Sequence, residues 1–498
     1  MRASSPLLLR FLFLSFLASS SKSMSAPATA RKVSVGVIGG GAAGLAAARA
    51  FGKIFPAAEV DVFEKGAAVG GVWNYKHLDK HLSKKEKSSK SQPMYRHLKT
   101  NLPKELMAYR EFPFQEEEAS YVSHESVQRY LSSYASHFAL LERIKFCAEV
   151  VALEFAPEAG AGESNSGRKV VVRWRQHRQG GAGGALERQR TYDHVVVANG
   201  HYALASVPRQ LCDLRDNFAG DVVHAIEYDA AGDEFAGKTI LCVGGRASGT
   251  DIARELSRVA RRVYVSDSKI ENLAREGEGN VFPCPRTTGL LDSDPGKILL
   301  DDGTVLDDVD IVVLCTGYDY EFPFMGDNVG LSNEVGERRV GPLYKQLFHA
   351  RHPTLSFIGL PHSVVPFPLF EFQAEAVASA AKCDFRSLPP AREREISAAA
   401  DFNAGGPSGT RVLDTHYLSD FQWDYCREMC AMSGTLVDDK VRKFIETNEE
   451  IYNHSSASRK GSPLGGNDAY REVKYARDTV NFSSWSVVKS PSASRTTA

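Results

Sequence analysis

The chain has 498 residues, of which 43% are hydrophobic, and its formal net charge at pH 7 is -1. This length exceeds what one hydrophobic core usually serves, so we expect two or more domains. The near-neutral charge gives no sequence-wide electrostatic case for binding nucleic acid or an anionic membrane surface, which leaves small molecules as the expected partners.

The first 30 residues have the composition of a targeting segment. Residues 7–18 form an apolar run that Arg10 interrupts, and no acidic residue occurs before Glu59. The run suits a secretory signal, whereas the Ser-rich, acid-free character also suits an organellar transit peptide. We therefore expect the secretory pathway, the endoplasmic reticulum or an organelle, with a disordered extension on a cytoplasmic protein as the alternative. The run is too short and interrupted for us to expect an integral membrane anchor in the mature chain.

Residues 33–64 predict a strand, a glycine turn, a helix and a second strand. Gly39, Gly41 and Gly44 have the G-x-G-x-x-G spacing of dinucleotide-binding turns. Gly39 permits the turn, Gly41 lacks a Cβ that would block a pyrophosphate, and Gly44 lets the helix pack closely on the strand. The pattern therefore predicts a dinucleotide site, with a merely structural glycine-rich turn as the alternative.

Groups around this turn complete the first predicted site. The helix start, with Ala42 and Ala43, offers N–H groups to phosphate oxygens. Glu64 ends the second strand, where its carboxylate can accept hydrogen bonds from ribose hydroxyls. A glycine pair in the loop that follows lets backbone approach a flat ring system, and the candidate residues there are Gly71, Val72 and Trp73.

The opening pattern repeats in residues 238–267. Arg246 replaces the central glycine, but the outer glycines are kept and Asp267 ends the second strand. The pattern predicts a second dinucleotide site, a structural repeat being the alternative. Its candidate residues are Gly244, Arg246, Ala247, Ser248, Gly249 and Lys269.

Three later segments bear on the organisation of the chain. Residues 310–318 form another apolar strand that ends in a Thr-Gly turn, where the chain could return to the first domain. Residues 365–373 lead into an Ala-rich helix, and Gln373 is a further candidate cofactor contact. Past Asn448 the chain is rich in Ser, Lys and Thr, so we expect much of it to be loosely ordered. No pair of the eight cysteines has C-x-x-C spacing, and we predict no metal site.

From about residue 33 to about residue 444 the chain resembles the flavin-containing monooxygenases, most closely their plant-type, S-oxygenating branch. Phe218, Gly220, His224 and Tyr228 have the spacing of that family's identifying motif, and the two glycine motifs flank it in the expected order. The chain also matches family segments at residues 70–73, 100–105, 315–318 and 366–371.

The resemblance implies an α/β fold with two nested Rossmann-like dinucleotide-binding domains, an FAD domain with an inserted NADP domain. The expected division is a targeting or disordered segment at 1–30, the first part of the FAD domain at 31–215, and the NAD(P) domain at 216–309. The second part of the FAD domain would follow at 310–447 and a loosely ordered tail at 448–498.

The resemblance also implies an enzyme of the N,N-dimethylaniline monooxygenase type. Its reduced flavin would react with O₂ to give a C4a-hydroperoxide, which passes one oxygen atom to sulfur or nitrogen of a small-molecule substrate. Thr100 would contact the cofactor, and Asn101 would match the family's active-site asparagine beside the flavin. An asparagine that caps the turn at Pro103 is the alternative. His224 would be a structural residue rather than a general base.

Other functions remain open at this point. A Baeyer–Villiger oxygenase of ketones shares the scaffold, but its motif usually continues into Trp-Pro, whereas Tyr228 is followed by Asp229 and Ala230. A flavin disulfide reductase would need a redox cysteine pair near Gly70, and none is present there. A non-catalytic flavin-binding protein would bind flavin without consuming NAD(P)H.

The sequence points in two directions on the choice of pyridine nucleotide. Asp267 could bind the ribose hydroxyls of NADH, and Ser268 stands where relatives usually supply an arginine. Arg246 and Lys269, however, could clamp the 2′-phosphate of NADPH. The resemblance favours NADPH, so FAD and NADP are the predicted cofactors.

Overall fold

The computed structural model describes residues 32–76, 93–157, 167–177, 184–268, 279–332, 336–405, 415–460 and 468–488. The predicted targeting segment and Lys269 lie outside these ranges, so both expectations stay predictions. The helices of the described ranges are, in chain order, α1 (Ala42–Ile54), α2 (Lys104–Met107), α3 (His124–His137), α4 (Cys212–Asn217), α5 (Ala247–Leu256), α6 (Pro366–Lys382), α7 (Ala391–Ala404), α8 (Gln422–Ser433) and α9 (Asp439–Lys460).

The strands of the same ranges are β1 (Ser34–Ile38), β2 (Glu59–Phe63), β3 (Ile144–Lys145), β4 (Ala148–Phe155), β5 (Val170–Gln176), β6 (Leu186–Tyr192), β7 (His194–Val197), β8 (Leu204–Ala205), β9 (Asp221–His224), β10 (Thr239–Val243), β11 (Arg262–Ser266), β12 (Val281–Cys284), β13 (Thr287–Leu291), β14 (Asp294–Leu300), β15 (Val305–Leu306), β16 (Ile311–Leu314), β17 (Tyr318–Asp319), β18 (Leu343–Tyr344), β19 (Phe348–His349), β20 (Leu355–Phe357), β21 (Lys474–Arg477) and β22 (Trp485–Val488).

The first sheet has seven strands in the order β18-β19-β20-β7-β1-β2-β3. Strand β1 lies inside this sheet and pairs in parallel with β2 and β7, so that Val37 lies beside Val62 and Val196. These three side chains are buried, as expected for a parallel sheet that is covered on both faces. Helix α1 has an alanine-rich buried face and packs against α6.

The second sheet repeats this arrangement with five parallel strands in the order β12-β11-β10-β16-β9. Helix α5 follows β10 as α1 follows β1, and the apolar run of β10 is buried along its whole length. The chain enters this unit after β8 and leaves it before β17, and these two short strands pair antiparallel. The predicted α/β fold with two nested Rossmann-like domains is therefore confirmed.

The predicted return to the first domain at residue 310 comes too early. Strand β16, Ile311–Leu314, pairs with β10 on one side and β9 on the other, so it belongs to the second sheet. The physical reason is the repeat itself, because β10 needs a parallel neighbour on the side away from β11, as β1 has in β7. The chain crosses back at β17.

The expectation of a loosely ordered tail after residue 447 is wrong for residues 448–460 and 468–488. Helix α9 continues to Lys460, and β21 and β22 form an antiparallel hairpin. Tyr475 and Phe482 are buried in the core of the first domain, and the Thr447 hydroxyl donates to the Phe482 carbonyl over 2.7 Å. Widely spaced aromatic residues, together with hydrogen bonds to the first domain, hold the segment in place. No helix of the described ranges is long and apolar enough to span a membrane.

Candidate active site

The three glycines of the first turn have different physical roles. Gly39 has φ +109°, and a Cβ there would lie 2.4 Å from the Ala198 carbonyl oxygen. A Cβ on Gly44 would lie 1.9 Å from the Gly39 carbonyl oxygen. A Cβ on Gly41 would come no closer than 3.4 Å to protein, the nearest atom being Gly71 Cα. The fold therefore needs Gly39 and Gly44, whereas Gly41 keeps a space open beside the helix start.

Gly71 faces this space from the loop after β2. Its φ is +56°, and a Cβ on it would lie 3.0 Å from Gly41 Cα, so the two glycines keep the backbones close together. Trp73 follows in the same single-turn helix, half-buried, with its ring edge-on to Phe367 at 6.4 Å between centroids. Val72 is also half-buried. The Gly41–Gly71 gap is thus a cradle that a side chain at position 41 would fill.

Glu64 is held at the end of β2 by backbone groups. Its carboxylate accepts hydrogen bonds from the Gly40 N–H over 2.8 Å and from the Gly66 N–H over 2.6 Å. Helix α1 begins at Ala42 with no acidic residue in its first turn, and within the described part of the chain no side chain caps it. Ala42 and Ala43 therefore present free N–H groups next to a fixed carboxylate, the arrangement that suits a phosphate and a ribose.

The second turn copies the first. Gly244 has φ +111° and would place a Cβ 2.5 Å from the Cys315 carbonyl oxygen, while a Cβ on Gly249 would lie 1.7 Å from the Gly244 carbonyl oxygen. Asp267 accepts a hydrogen bond from the Gly245 N–H over 2.8 Å, as Glu64 does from Gly40. The start of α5, with Ala247 and Ser248, carries no side-chain cap. The two turns are geometrically equivalent.

Arg246 stands where the first turn has Gly41. Its φ of -82° and ψ of -166° match the -78° and -174° of Gly41, so the backbone does not require glycine at either position. The Arg246 guanidinium is exposed and its Cζ lies 5.6 Å from the centroid of the Tyr417 ring. Sequence reasoning missed Tyr417, because no local pattern relates positions 246 and 417.

Thr100 and Asn101 lie at the junction of the two domains. Leu98 packs on the core of the second domain, whereas Leu102 is buried in the core of the first. The Thr100 N–H donates to the Val122 carbonyl over 2.9 Å, and its buried hydroxyl has no partner in the described structure.

The Asn101 side chain is exposed and forms no hydrogen bond with described residues. Pro103, not Asn101, stands at the N-cap of α2, and no side chain caps that helix. The Asn101 amide is therefore not used as a cap and remains available to a ligand.

Gln373 lies in the protein interior, on helix α6. It is fully buried, and its side-chain oxygen accepts from the Gly359 N–H over 3.0 Å while its nitrogen donates to the Tyr425 hydroxyl over 2.9 Å. The predicted contact of Gln373 with a cofactor stays a prediction, while its side-chain amide is bonded within the protein. Gln373 holds the turn at Gly359, where a Cβ would lie 3.5 Å from Ala43 Cβ at the start of α1.

The motif that ends at Tyr228 lies on the route between the domains. Burial, together with the charge of Arg215, lowers the pKa of His224 to about 4, and its Nδ1 accepts from the Ile226 N–H over 3.1 Å. His224 is therefore neutral at pH 7 and structural. Asp229 accepts hydrogen bonds from the Tyr75 hydroxyl and from the Arg96 guanidinium at 2.7 Å. The end of the motif thus ties the second domain to loops of the first.

Both glycine turns lie within the part of the chain that matches the model of one known protein family. Residues 30–276 and 289–432 match the family described as flavin-binding monooxygenase-like, or FMO-like. The chain belongs to this family. The FMO-like assignment covers both turns and the junction at Asn101. The resemblance seen in the sequence is therefore confirmed.

Individual FMO-like proteins agree with this assignment. Flavin-containing monooxygenase FMO GS-OX-like 4 of Arabidopsis thaliana is 31% identical over 460 residues, which are 88% of this chain and 93% of that protein. Thiol-specific monooxygenase of Saccharomyces cerevisiae is 31% identical over 403 residues, 78% of this chain and 85% of that protein. The solved structure of S-allyl-L-cysteine S-oxygenase from Allium sativum has a TM-score of 0.69 and 26% identity, covering 88% of this chain and 97% of that one.

These comparisons confirm that the protein is an enzyme, a flavin-dependent monooxygenase. Such an enzyme takes a flavin cofactor, O₂ and a small-molecule substrate. The structure fits the flavin, because the Gly41–Gly71 cradle, the free amides of α1 and the fixed Glu64 carboxylate lie around one turn.

Proposed function

We propose that the protein binds FAD at the first turn and NADPH at the second, and transfers one oxygen atom of O₂ to the sulfur of a small thiol or thioether. The observation that carries this proposal is the pair of equivalent turns, each with uncapped helix amides beside a backbone-held carboxylate. The overall reaction with a thioether is R₂S + O₂ + NADPH + H⁺ → R₂SO + H₂O + NADP⁺. Sulfur is favoured because three relatives are named for thiols, S-oxygenation or the GS-OX group.

The residues of the first turn hold FAD in this proposal. The amides of Ala42 and Ala43 donate to the pyrophosphate, which occupies the gap between Gly41 and Gly71. Glu64 accepts hydrogen bonds from the adenosine ribose. Bound FAD would supply the redox chemistry and the activation of O₂, and the protein supplies orientation and a dry environment.

Asn101 is the proposed catalytic residue. Its amide can donate a hydrogen bond to an oxygen atom beside the cofactor, and it has no titrating proton of its own. The free side chain at the domain junction supports this role, since no described residue occupies its donors. Thr100, whose buried hydroxyl has no partner among the described residues, would add a second polar contact at the same place.

Arg246 and Asp267 would decide the choice of pyridine nucleotide. The Asp267 carboxylate accepts from the Gly245 N–H as the Glu64 carboxylate accepts from the Gly40 N–H. Asp267 could therefore accept hydrogen bonds from ribose hydroxyls. The Arg246 guanidinium is exposed and lies over the Tyr417 ring, which leaves its N–H groups available to the 2′-phosphate that distinguishes NADPH from NADH. We propose a preference for NADPH on this ground.

Oxygen consumption tests the proposed function. Purified, FAD-loaded protein is mixed with NADPH and a panel of thiols, thioethers, amines and ketones, and O₂ uptake and product are measured together. We expect stoichiometric sulfoxidation of one or more sulfur compounds. Oxidation of ketones alone would establish the Baeyer–Villiger alternative, and bound flavin with no NADPH consumption under any condition would establish a non-catalytic flavin protein.

A further inference from the structure

Arg471, in the segment before β21, contacts both domains at once. Its Nη1 donates to Asp251 Oδ1 over 2.7 Å and to Asp468 Oδ2 over 2.9 Å. Its Nε donates to the Thr100 carbonyl and its Nη2 to the Lys99 carbonyl, each over 3.2 Å. The side chain is 7% exposed, and its three nitrogen atoms all make hydrogen bonds. One planar group therefore joins two carboxylates to two consecutive backbone carbonyls.

The carboxylate side of this contact belongs to the second dinucleotide turn. Asp251 lies on α5, five residues after Arg246, and also accepts from the Tyr95 hydroxyl and from Arg254 at 3.1 Å. Arg254 in turn pairs with Asp468 at 2.9 Å. The position of α5, whose first amides form the proposed nucleotide site, is thus fixed to the C-terminal segment.

The carbonyl side of the contact belongs to the stretch that carries Asn101. Both backbone polar groups of Thr100 are hydrogen-bonded, because its N–H donates to the Val122 carbonyl and its carbonyl accepts from Arg471. The C-terminal segment is anchored beside it, since the Tyr475 N–H donates to Ser120 Oγ over 2.8 Å. Arg471 therefore holds the backbone that directly precedes Asn101.

We propose that Arg471 is a positioning residue that couples the second dinucleotide turn to Asn101. A shift of α5 on nucleotide binding is carried through Asp251 and Arg471 to the Lys99–Thr100 backbone, so Asn101 is ordered when the nucleotide is in place. Arg471 lies beyond residue 432, where the family match ends, so the matched region alone does not contain this link. The coupling rests on the proposed function for the identity of the nucleotide and the role of Asn101.

A double-mutant cycle read by amide hydrogen exchange tests the link without any turnover. FAD-loaded wild type, Arg471→Ala, Asp251→Asn and the double variant are compared in the peptide that covers residues 99–108. We expect each single variant to exchange about tenfold faster there, the loss expected for one buried charge-assisted hydrogen bond. The double variant should be no faster than Arg471→Ala, because both changes break the same path.

Two further variants separate coupling from general loss of the C-terminal segment. Arg471→Lys keeps the charge and most of the volume but not the fork that reaches two carbonyls, so it should also speed exchange at residues 99–108. Arg386→Ala removes an exposed arginine after α6 and should leave that exchange unchanged. NADP⁺ should slow exchange at residues 99–108 in wild type but not in Arg471→Ala.

In turnover, Arg471→Ala should lower product formed per NADPH and raise H₂O₂ release, with the KM for NADPH changing less than about twofold. Full additivity in the cycle, normal exchange in Asp251→Asn, or equal NADP⁺ protection in wild type and Arg471→Ala would overturn the coupling. Absence of oxygenation in wild type would instead overturn the proposed function, and the exchange cycle would still decide the role of Arg471.

Discussion

A paired substitution in the first turn separates what the fold needs from what the cofactor needs. A Cβ at position 44 would lie 1.9 Å from the Gly39 carbonyl oxygen, more than 1 Å inside ordinary contact, so helix α1 and strand β1 would have to move apart. We expect Gly44→Ala to cost at least about 3 kcal/mol of unfolding free energy in the protein without FAD. At position 41 the Cβ would lie 3.4 Å from Gly71 Cα, and φ is -78°, which any residue adopts.

The change at position 41 should therefore spare the fold and remove the flavin. Arg246 supplies the precedent, since a long side chain already occupies the equivalent backbone position of the second turn. We expect Gly41→Leu to change the unfolding free energy of the FAD-free protein by less than about 1 kcal/mol. Its side chain would occupy the proposed pyrophosphate position, raising the Kd for FAD at least about 100-fold, which corresponds to about 2.8 kcal/mol.

The assay has two readouts on the same samples. Urea unfolding of the FAD-free protein gives stability, and flavin absorbance per protein after reconstitution gives occupancy. Gly41→Leu should unfold at nearly the wild-type urea concentration but show no flavin absorbance. Gly44→Ala should unfold at lower urea concentration and also have low flavin occupancy. Full flavin occupancy in Gly41→Leu would refute the placement of the pyrophosphate, and a collapse of its FAD-free form would refute the assignment of open space at Gly41.

Three other predictions follow from the site and from one buried histidine. Asn101→Asp should keep FAD bound but divert NADPH oxidation to H₂O₂, as measured by product and peroxide yields; unaltered coupling would remove Asn101 from the site. Arg246→Ala should raise the KM for NADPH far more than that for NADH, and an equal effect on both would leave Arg246 as a pyrophosphate contact. Burial and the neighbouring His362 and His201 lower the pKa of His416 to about 3, so protonation of the unfolded chain below pH 6.5 should cost about 1.4 kcal/mol of stability per pH unit down to about pH 3. Urea unfolding at pH 7 and pH 5 should show a drop that is about 2 kcal/mol smaller in His416→Gln, and an unchanged difference would contradict a neutral His416.

The glycine turns could be predicted from the sequence because their constraints are local. Gly39, Gly44 and Glu64 act on atoms within one β-α-β unit, so spacing alone carries the information. The contact of Gln373 with Gly359 could not be predicted for the opposite reason, since a glutamine in a family segment can line a cofactor or support the turn beside it. Only the contact with Gly359 distinguishes the two.

The junction between the domains could not be predicted from the sequence. Arg471 and Thr100 are separated by 371 positions, and the segment that carries Arg471 has a polar composition typical of a disordered tail. Its docking depends on isolated aromatic residues such as Tyr475 and Phe482, which give no periodic pattern. The assignment of β16 to the first domain is wrong because an apolar run indicates that a strand is buried but not which strands lie beside it.

The second domain is inserted between β8 and β17, and this insertion affects the order in which the two domains can fold during translation. The first sheet cannot be completed until β20 emerges, and α1 lacks its packing partner until α6 is made, whereas the inserted domain has all of its strands by residue 314. During translation the inserted domain can therefore fold first. Until β20 and α6 are synthesised, one edge of β7 is unpaired and the apolar face of α1 is exposed to solvent. Such an intermediate is prone to aggregation and is a natural client for chaperones. Slowing translation across residues 318–382 should thus lower the yield of folded protein more than slowing it across the inserted domain.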